Sequence, residues 1–323
     1  NLSATGRVYL GDKTLVIANA TGSFAGTIDS ECSGFGPQFP CGSVEKRGTG
    51  LFAFSGANTY NGTTTVAQGT VALTGSLASS VEVQPGAMFM GTGVVHGPRV
   101  NNAGTVAPGL SIGTLTLDGD YLQQPGGSFD VELAPDGSAN DLLAIVGAAS
   151  LDGTHRVSIF GGTTLTPAAG GRTYTILTAA AGVAGRFANT LPGIGAYHFD
   201  TIYQPGAVLL GVRYVGLAGA VQQPGAATPP ASTQNQVNTA IGLDRVPITT
   251  TPTPTQPVAG FNSGNPDFDR ILTTLSNQDG AALLDGFNQI IAEPYGSLLT
   301  LLLGQNDAYA SVVVDRAQLC SGG

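Results

Sequence analysis

Short, nearly uncharged segments of alternating apolar and polar residues recur along this chain, separated by Gly and Asn turns. Residues 48–74 (GTGLFAFSGANTYNGTTTVAQGTVALT) and 104–118 (GTVAPGLSIGTLTLD) show the pattern most densely. A period of two residues is typical of strands that bury one face. A chain that supplies such strands at short intervals can coil them into a stack. We therefore predict an all-β fold, a single-stranded right-handed parallel β-helix.

A loose internal repeat supports the coil. Gly-Thr followed by alternating apolar residues recurs at 69–73, 104–107 and 113–117. One coil cannot bury its own inner face, so neighbouring coils must stack to build the core. The spacing alone leaves a two-sheet sandwich open as the competing architecture. The predicted strands are 70–74, 80–84, 114–118, 129–133, 155–159, 174–177 and 208–214.

The composition excludes several classes of protein. Only 10% of the residues are charged and 42% are hydrophobic, which disfavours simple disorder. The net charge is −9, so a phosphate backbone would be repelled and we expect no nucleic-acid partner. The longest apolar run, SLLTLLLG at 297–304, is too short for a membrane-spanning helix. Asn1 leads into polar sequence without a signal peptide, so we expect a trimmed fragment.

The composition and periodicity of the sequence change twice along the chain. The stretches VQQPGAATPPASTQNQ and PITTTPTPTQPVAG are rich in Pro and Thr, and we expect them to resist a packed core. Asn265-Pro266-Asp267 is typical of a helix cap, a first-turn proline and a first-turn acid. The predicted division is a β-helix over 1–216, a Pro/Thr-rich linker with a short helix over 217–262, and an α-helical segment over 263–323.

The three cysteines follow no metal-binding spacing. Cys32 and Cys41 flank a short loop that can close as a disulfide in an oxidising compartment, which leaves Cys320 without a mate. The alternative is three buried or idle thiols. We expect no catalytic, cofactor-binding or metal-binding residues in this sequence.

Several constellations nevertheless resemble catalytic sites. Residues 109–113 (GLSIG) fit the GxSxG nucleophile elbow, but a strand follows instead of a helix, so a turn between coils is the favoured interpretation. Ser111, His155 and Asp141 form a triad on paper, although nothing in the sequence brings them together. Two acid pairs, Asp118 with Asp120 and Asp130 with Glu132, are each expected on one solvated strand face rather than in a glycosidase site.

Two further groups have a structural and a functional interpretation. Asn58-Thr59-Tyr60 could form a surface recognition patch, but the favoured interpretation places Asn58 and Asn61 in turns or stacked ladders, with Tyr60 packed over the coil. The stripe of Leu283, Phe287, Ile290 and Ile291 belongs either to a helical core or to a surface that docks on a further domain.

Together these segments resemble a bacterial autotransporter of type V secretion. GTGLFAFSGANTYNGTTTVAQGTVAL (48–73) is similar to the passenger-associated repeat. VNNAGTVAPGLSIGTLTLDGDYLQQPGGSFDVEL (100–133) and NDLLAIVGAASLDG (140–153) resemble the pertactin-like folding core. NQVNTAIGLDRV (235–246) and the helices after 265 resemble the lead-in to the translocator barrel. The barrel itself is missing from this sequence, which argues against membrane insertion of the fragment.

The resemblance implies a surface-anchored or secreted passenger at the outer membrane of a Gram-negative bacterium. It implies a folding core at about 70–216, its own translocator barrel as partner, and the outer-membrane assembly machinery acting through that barrel. The function it implies is a non-catalytic passenger stem that templates folding during secretion. The alternatives are an adhesin, sometimes a virulence factor, that binds a host-cell or matrix ligand, and the shaft of an upstream protease or esterase. Leu110 and the Cys32–Cys41 loop depart from the family pattern.

Overall fold

Three long sheets dominate the computed structural model. It describes residues 6–30, 41–162, 165–166, 171–222, 234–246, 248–249, 260–263, 266–278 and 282–287. The first sheet has eight strands, β2, β5, β8, β11, β14, β17, β20 and β23 in spatial order. Their bounds are Thr14–Ala18, Ser43–Arg47, Thr63–Val66, Ser80–Val83, Arg99–Asn102, Asp120–Gln123, Ala149–Leu151 and Val183–Gly185.

The second sheet has seven strands, β3, β6, β9, β12, β15, β18 and β21 in spatial order. Their bounds are Gly22–Phe24, Leu51–Phe54, Thr70–Leu73, Met88–Gly91, Thr105–Pro108, Ser128–Leu133 and Thr154–Ile159.

The third sheet has the order β7, β10, β13, β16, β19, β22, β25 and β24. Its last two strands follow one another across only two residues and are neighbours, so they form a hairpin. Two short strands, β1 and β4, pair with each other in parallel. The bounds are Ala57–Asn58, Ser76–Leu77, Val94–Val95, Thr114–Leu117, Leu142–Ile145, Arg172–Ala179, Ala207–Tyr214 and Tyr197–Gln204, with β1 at Arg7–Tyr9 and β4 at Thr27–Asp29.

From β5 to β23 the chain contributes one strand to each sheet in turn, so neighbouring strands in each long sheet are three places apart in the chain, except that β24 pairs with β25. In the second sheet, for example, β9 pairs in parallel with β12, and β12 with β15. This is the arrangement of a coil with three strands per turn, and it is consistent with a right-handed parallel β-helix. The predicted fold is confirmed. The two-sheet sandwich is excluded, because its sheets would be antiparallel.

Alternation within each strand decides which side chains fill the coil. In β16, Leu115 and Leu117 are buried while Thr114 and Thr116 point outward. In the second sheet the register stacks Phe52, Val71, Phe89, Val106, Phe129 and His155 in one inner column. The hydrophobic core of the coil is therefore a set of ladders that run from turn to turn.

The chain divides into two compact units. The first comprises residues 1–163, 173–191 and 200–211, and the second comprises 164–172, 192–199 and 212–323. The second unit contains helices α1 (Gly216–Gln222), α2 (Gln234–Leu243) and α3 (Pro266–Ser276), an antiparallel pair of β26 (Ile248–Thr249) and β27 (Gly260–Phe261), and helical residues 282–287. Phe160–Gly162 forms a single 3-10 turn.

A small apolar core holds the second unit together. α3 begins at Pro266 with Asp267 and Asp269 in its first turn, where carboxylates complement the helix dipole. Part of the predicted linker contributes to this core, because its apolar side chains fall between the Pro/Thr stretches. The buried members are Ala196, Leu217, Ala240, Val246, Phe261, Phe268, Leu272, Leu275, Leu283, Leu284 and Phe287.

Parts of the C-terminal predictions lie outside the described residues. These include most of both Pro/Thr-rich stretches, Ile290, Ile291 and everything after them. Within the described part of the chain, no helix combines the length and apolar character needed to cross a membrane. The domain boundaries at 216 and 262 stay a prediction.

Candidate functional site

At the N-terminal end of the coil, two strand edges have no partner among the described strands. β2 and β3 are terminal strands of the first and second sheets, and each pairs with only one other described strand. A terminal strand leaves a row of backbone N–H and C=O groups unpaired. Apolar side chains are exposed beside these edges, with Tyr9 53% and Val16 43% accessible. This end can therefore pair with a further strand.

The C-terminal end of the second sheet is closed by a side chain. Asn189 Oδ1 accepts the backbone N–H of His155 at 2.9 Å, and Asn189 Nδ2 donates to the carbonyl of His155 at 2.8 Å. The backbone N–H of Ala188 also donates to the carbonyl of Gly153 at 2.6 Å. The Asn189 amide thus occupies the backbone groups that a next strand would use at His155, near the start of β21.

The imidazole of His155 is enclosed by this closure. The ring is 0% exposed and stacks on Phe187 with 4.4 Å between ring centroids. Asn189 Nδ2 donates to the His155 carbonyl, which fixes the orientation of the amide and places Oδ1 2.8 Å from His155 Nδ1. Because Oδ1 can only accept a hydrogen bond, Nδ1 is assigned as the protonated nitrogen. Nε2 then accepts from the Thr201 hydroxyl at 2.6 Å. Burial lowers the pKa of His155 from its usual 6.5.

Polar side chains inside the coil tie successive turns together. Asn58 is 1% exposed, and its Oδ1 accepts the N–H of Ile28 at 3.1 Å. Its Nδ2 donates to the carbonyls of Gly56 and Ser76, both at 3.1 Å. One amide therefore connects three adjacent turns, and every contact is to backbone. Asn58 is structural, as the favoured interpretation predicts.

Tyr60 is also an interior residue and not part of a recognition patch. It is 0% exposed, and its hydroxyl lies 2.6 Å from the Thr64 hydroxyl, which in turn lies 2.5 Å from Ser79 Oγ. Burial raises the pKa of Tyr60 to about 12. Asn61 Oδ1 accepts the N–H of Cys41 at 2.9 Å, so this asparagine also serves a turn.

A second polar network crosses the coil two turns further on. Asn102 Nδ2 donates to the Tyr121 hydroxyl at 3.1 Å and to the Ser128 carbonyl at 2.8 Å. The Tyr121 hydroxyl donates to Gln123 Oε1 at 2.6 Å, and Gln123 Nε2 donates to the Thr154 carbonyl at 2.7 Å. Among the described residues, Asn102 Oδ1 is the one buried side-chain oxygen or nitrogen without a partner.

Lys46 is a buried cation whose ammonium group binds backbone carbonyls at a corner of the coil. Its side chain is 0% exposed, and Nζ donates to the carbonyls of Arg47 (2.8 Å), Gly48 (2.7 Å) and Gln68 (3.5 Å). Burial lowers its pKa. Hydrogen bonds to three carbonyls fully use the three donors of the ammonium group, so Lys46 acts as a structural tie.

The GxSxG segment is a turn between two strands. It links β15 to β16, and Gly109 has a φ of 89°, a left-handed conformation that favours glycine. Asp141 holds the turn, because its Oδ1 accepts the N–H of Gly113 and its Oδ2 that of Glu132, both at 2.8 Å. Burial raises the pKa of Asp141 to about 7.

The triad drawn from the sequence is not assembled. Ser111 is exposed, Asp141 is committed to two backbone N–H groups, and both ring nitrogens of His155 are occupied by Asn189 and Thr201. The other histidine of the first unit, His96, is exposed and lies 2.6 Å from Asp118. Within the described residues, no three His, Cys, Asp or Glu side chains group as a metal site.

The two acid pairs behave differently. Asp130 and Glu132 lie on the outer face of β18, as predicted. The prediction for Asp118 and Asp120 is wrong, because Asp118 follows β16 while Asp120 begins β17 in another sheet. The chain bends at Asp118 and Gly119, so the two carboxylates do not belong to one strand. Alternation along a strand therefore does not place them on the same face. Asp120 Oδ1 accepts the N–H of Ala148 at 2.9 Å.

Of the two cysteines in the predicted disulfide, only Cys41 is among the described residues. Cys41 is 8% exposed and its sulfur lies 2.9 Å from the carbonyl oxygen of Gly11. Cys32 and Cys320 lie outside the described residues, so the pairing of Cys32 with Cys41 stays a prediction.

An open groove of about 520 Å³ lies on the outer face of the first sheet. It forms because side chains shrink along the ladder from Leu122 to Ser150 to Ala184. Arg99 and Pro205 also line it. Surface grooves of this size are within the range of ligand sites.

Sequence reasoning missed the residues that close and tie the coil. Asn189, Lys46 and Gln123 are polar residues that each bond at least one partner 22 or more residues away, and spacing does not reveal those partners. The signal that could have found them is a polar residue at an inward position of an alternating strand, as with Lys46 in the pattern of β5.

Residues 44–73 match the family described as the passenger-associated-transport-repeat. They span the five strands from β5 to β9, which are one full turn of the coil and two strands of the next. The β-helix and this repeat together support an autotransporter passenger region.

Relatives of known function agree with this class. An extracellular serine protease of Serratia marcescens is 36% identical over 176 residues, which are 53% of this chain and 17% of that protein. A second extracellular serine protease of Serratia marcescens is 35% identical over 159 residues, 47% of this chain and 15% of the protease. The adhesin BmaC autotransporter of Brucella suis biovar 1 (strain 1330) is 33% identical over 137 residues, 39% of this chain and 4% of the adhesin.

The chain thus spans less than a fifth of the length of each of these relatives. The repeat and the relatives support an autotransporter passenger region, and the resemblance predicted from the sequence is confirmed. The predicted setting, secreted or at the surface of a Gram-negative outer membrane, is confirmed with it.

Proposed function

We propose that this chain is the non-catalytic stem of a surface autotransporter and that it templates passenger folding during secretion across the outer membrane. The β-helix over 1–216 would be the stem, with a folding core at about 70–216. The segment 217–262 would link it to the helical segment 263–323, and the linker and helix would thread a translocator barrel of the whole protein. The outer-membrane assembly machinery would act through that barrel.

One observation carries the proposal: the two ends of the second sheet differ. At its N-terminal end, the outer edge of β3 has no partner among the described strands, as is also true of β2 in the first sheet. At the C-terminal end of the second sheet, the Asn189 amide occupies the N–H and C=O of His155. In the second sheet, the outer edge of β3 has no partner among the described strands and the edge of β21 is occupied at His155, so extension at the β3 end is favoured.

Extension in this direction suits a chain that emerges with its C-terminal coils first. Pairing distant strands from an unfolded chain is slow, because loop-closure entropy is lost before contacts form. Adding one turn to an existing edge closes only a short loop. The parallel register of Val71, Phe89 and Val106 supports this route, because each inner side chain lies directly beside its counterpart in the neighbouring turn.

A pair of buried charges tests the direction of folding. Leu143 in β19 and Val44 in β5 are 0% and 1% exposed and face the interior near opposite ends of the coil. An unpaired buried carboxylate costs several kcal/mol. Leu143→Asp should leave all turns sensitive to trypsin, whereas Val44→Asp should leave the C-terminal turns resistant.

The cleavage sites separate the two outcomes. Arg47 reports on the N-terminal turns and Arg156 on the C-terminal turns, and both are exposed. Ala144→Asp, on the outer face of β19, is the matched control and should change nothing. If the two inward variants lose resistance at the same sites, the templating role is wrong.

Adhesion is the second candidate. The relative named as an adhesin and the open groove beside Arg99 favour it. Binding of the full chain to host cells or matrix, lost in Ser150→Arg because that side chain fills the groove, would support adhesion. Unchanged binding would remove the groove from consideration.

The third candidate is a shaft for an enzyme whose catalytic domain lies in another part of a longer protein. The two proteases among the relatives favour it, because each is several times longer than the part this chain matches. Hydrolysis of peptide or ester substrates by this chain itself, abolished by Ser111→Ala, would contradict the non-catalytic role.

A further inference from the structure

We propose that His155 and Asn189 form an acid-sensitive clamp, which holds residues 186–191 over the C-terminal edge of β21 near neutral pH and releases them in acid. The clamp is defined by these two residues and Thr201. It does not depend on the templating role, because it concerns only how this end of the coil stays closed.

The Asn189 side chain is the central part of the clamp, because it binds the backbone of His155 where a neighbouring strand would otherwise pair. Asn189 makes two hydrogen bonds to the backbone of His155 and a third to its ring nitrogen Nδ1. The neighbouring Phe187 stacks on the His155 ring and lies 5.9 Å from the Phe129 ring, the preceding member of the inner column. Loss of the imidazole geometry would therefore undo hydrogen bonds and ring packing together.

The ring has no access to water and no carboxylate to compensate a charge. Its two nitrogens contact an amide oxygen and a hydroxyl, and the ring is 0% exposed. The Thr201 hydroxyl can rotate to accept from Nε2, but two neutral partners do not replace the hydration of an imidazolium ion. A second proton is thus disfavoured as long as the clamp is closed.

Charged groups on the packed elements do not change this conclusion. On β18, Asp130 and Glu132 point outward, away from the inner column that holds the ring. Arg156, next to His155 on β21, is exposed and lies 3.8 Å from Asp130. Arg186 lies over the Tyr203 ring at 4.8 Å, and Asp200 precedes Thr201 on β24.

The direction of the pH effect follows from linkage. Released His155 would titrate near its usual 6.5, whereas burial lowers the pKa of the clamped ring. The open form therefore binds more protons, so opening becomes easier as the pH falls below about 6.5. At about pH 4.5, two units lower, the open population should rise by up to about 100-fold.

Hydrogen exchange of the full chain tests the clamp. We expect the protection of amides 186–191, corrected with an unstructured peptide of the same sequence, to fall by about 10- to 100-fold between about pH 7 and pH 4.5. Amides of β11 and β12 should keep their protection. Protection of 186–191 that does not change while the coil stays folded would overturn the proposal.

Two variants assign the effect to the clamp. His155→Gln should abolish the pH dependence, whereas His96→Gln, at an exposed histidine of the same unit, should retain it. If His155→Gln folds poorly, Asn189→Asp provides the second test, because a carboxylate beside Nδ1 stabilises the imidazolium ion. Its loss of protection in acid should be smaller than that of the original chain. An equal loss in either clamp variant contradicts the clamp.

Discussion

Phe89→Ala perturbs the centre of the inner aromatic column. Phe89 is 0% exposed and stacks between Val71 and Val106 in consecutive turns. Removing a fully buried phenylalanine costs about 3–5 kcal/mol, because burial is lost and a cavity remains. For a unit of this size each kcal/mol lowers the Tm by about 2–4 °C. The variant should therefore melt about 6–20 °C lower.

The matched control is Met90→Ala on the same strand. Met90 lies on the outer face of β12, where it pairs with Ala72 and Ala107, and it is only half-buried. Its truncation should cost less than about 1 kcal/mol. Urea and thermal unfolding followed by far-UV circular dichroism would compare the two. Equal losses of stability would refute the inward alternation from which the fold is argued.

Two further predictions concern buried polar groups. Asn58→Leu removes the amide from the N–H of Ile28 and the carbonyl of Ser76, whereas the carbonyl of Gly56 keeps the N–H of Ser76, so the variant should cost about 1–3 kcal/mol per unsatisfied group in urea unfolding. A midpoint like that of the original chain would contradict the tie between turns. Asp141 has a folded pKa of about 7, above its unfolded value, so its contribution is present below about pH 4 and lost as the pH rises through 7. Unfolding free energies from pH 5 to 8 should show this decline, and Asp141→Asn should remove it; a decline that persists would mean another group is responsible.

Much of the coil could be predicted because period-two alternation directly reports a half-buried strand. The segments 70–74, 80–84 and 114–118 correspond to β9, β11 and β16, and the inward side chains of β16 are the leucines. The start of α3 at Pro266 follows equally from local chemistry. What alternation does not give is the order of strands in each sheet, which depends on the length of every turn.

The interior polar residues could not be predicted for a related physical reason. Lys46, Asn102 and His155 occupy inward positions that hydropathy assigns to apolar side chains. Lys46 Nζ, Asn102 Nδ2 and both ring nitrogens of His155 are tolerated because carbonyls, hydroxyls or an amide satisfy them, and some of those partners lie up to 46 residues away. The closure of β21 by Asn189 belongs to the same class, since 34 residues separate the partners.

Pulsed hydrogen exchange during refolding of the full chain measures directly which turns form first. If the coil grows from its C-terminal end, amides of β17 to β21 gain protection before those of β2 to β6. Simultaneous protection of both ends, or earlier protection of β2 to β6, would contradict growth from a C-terminal template.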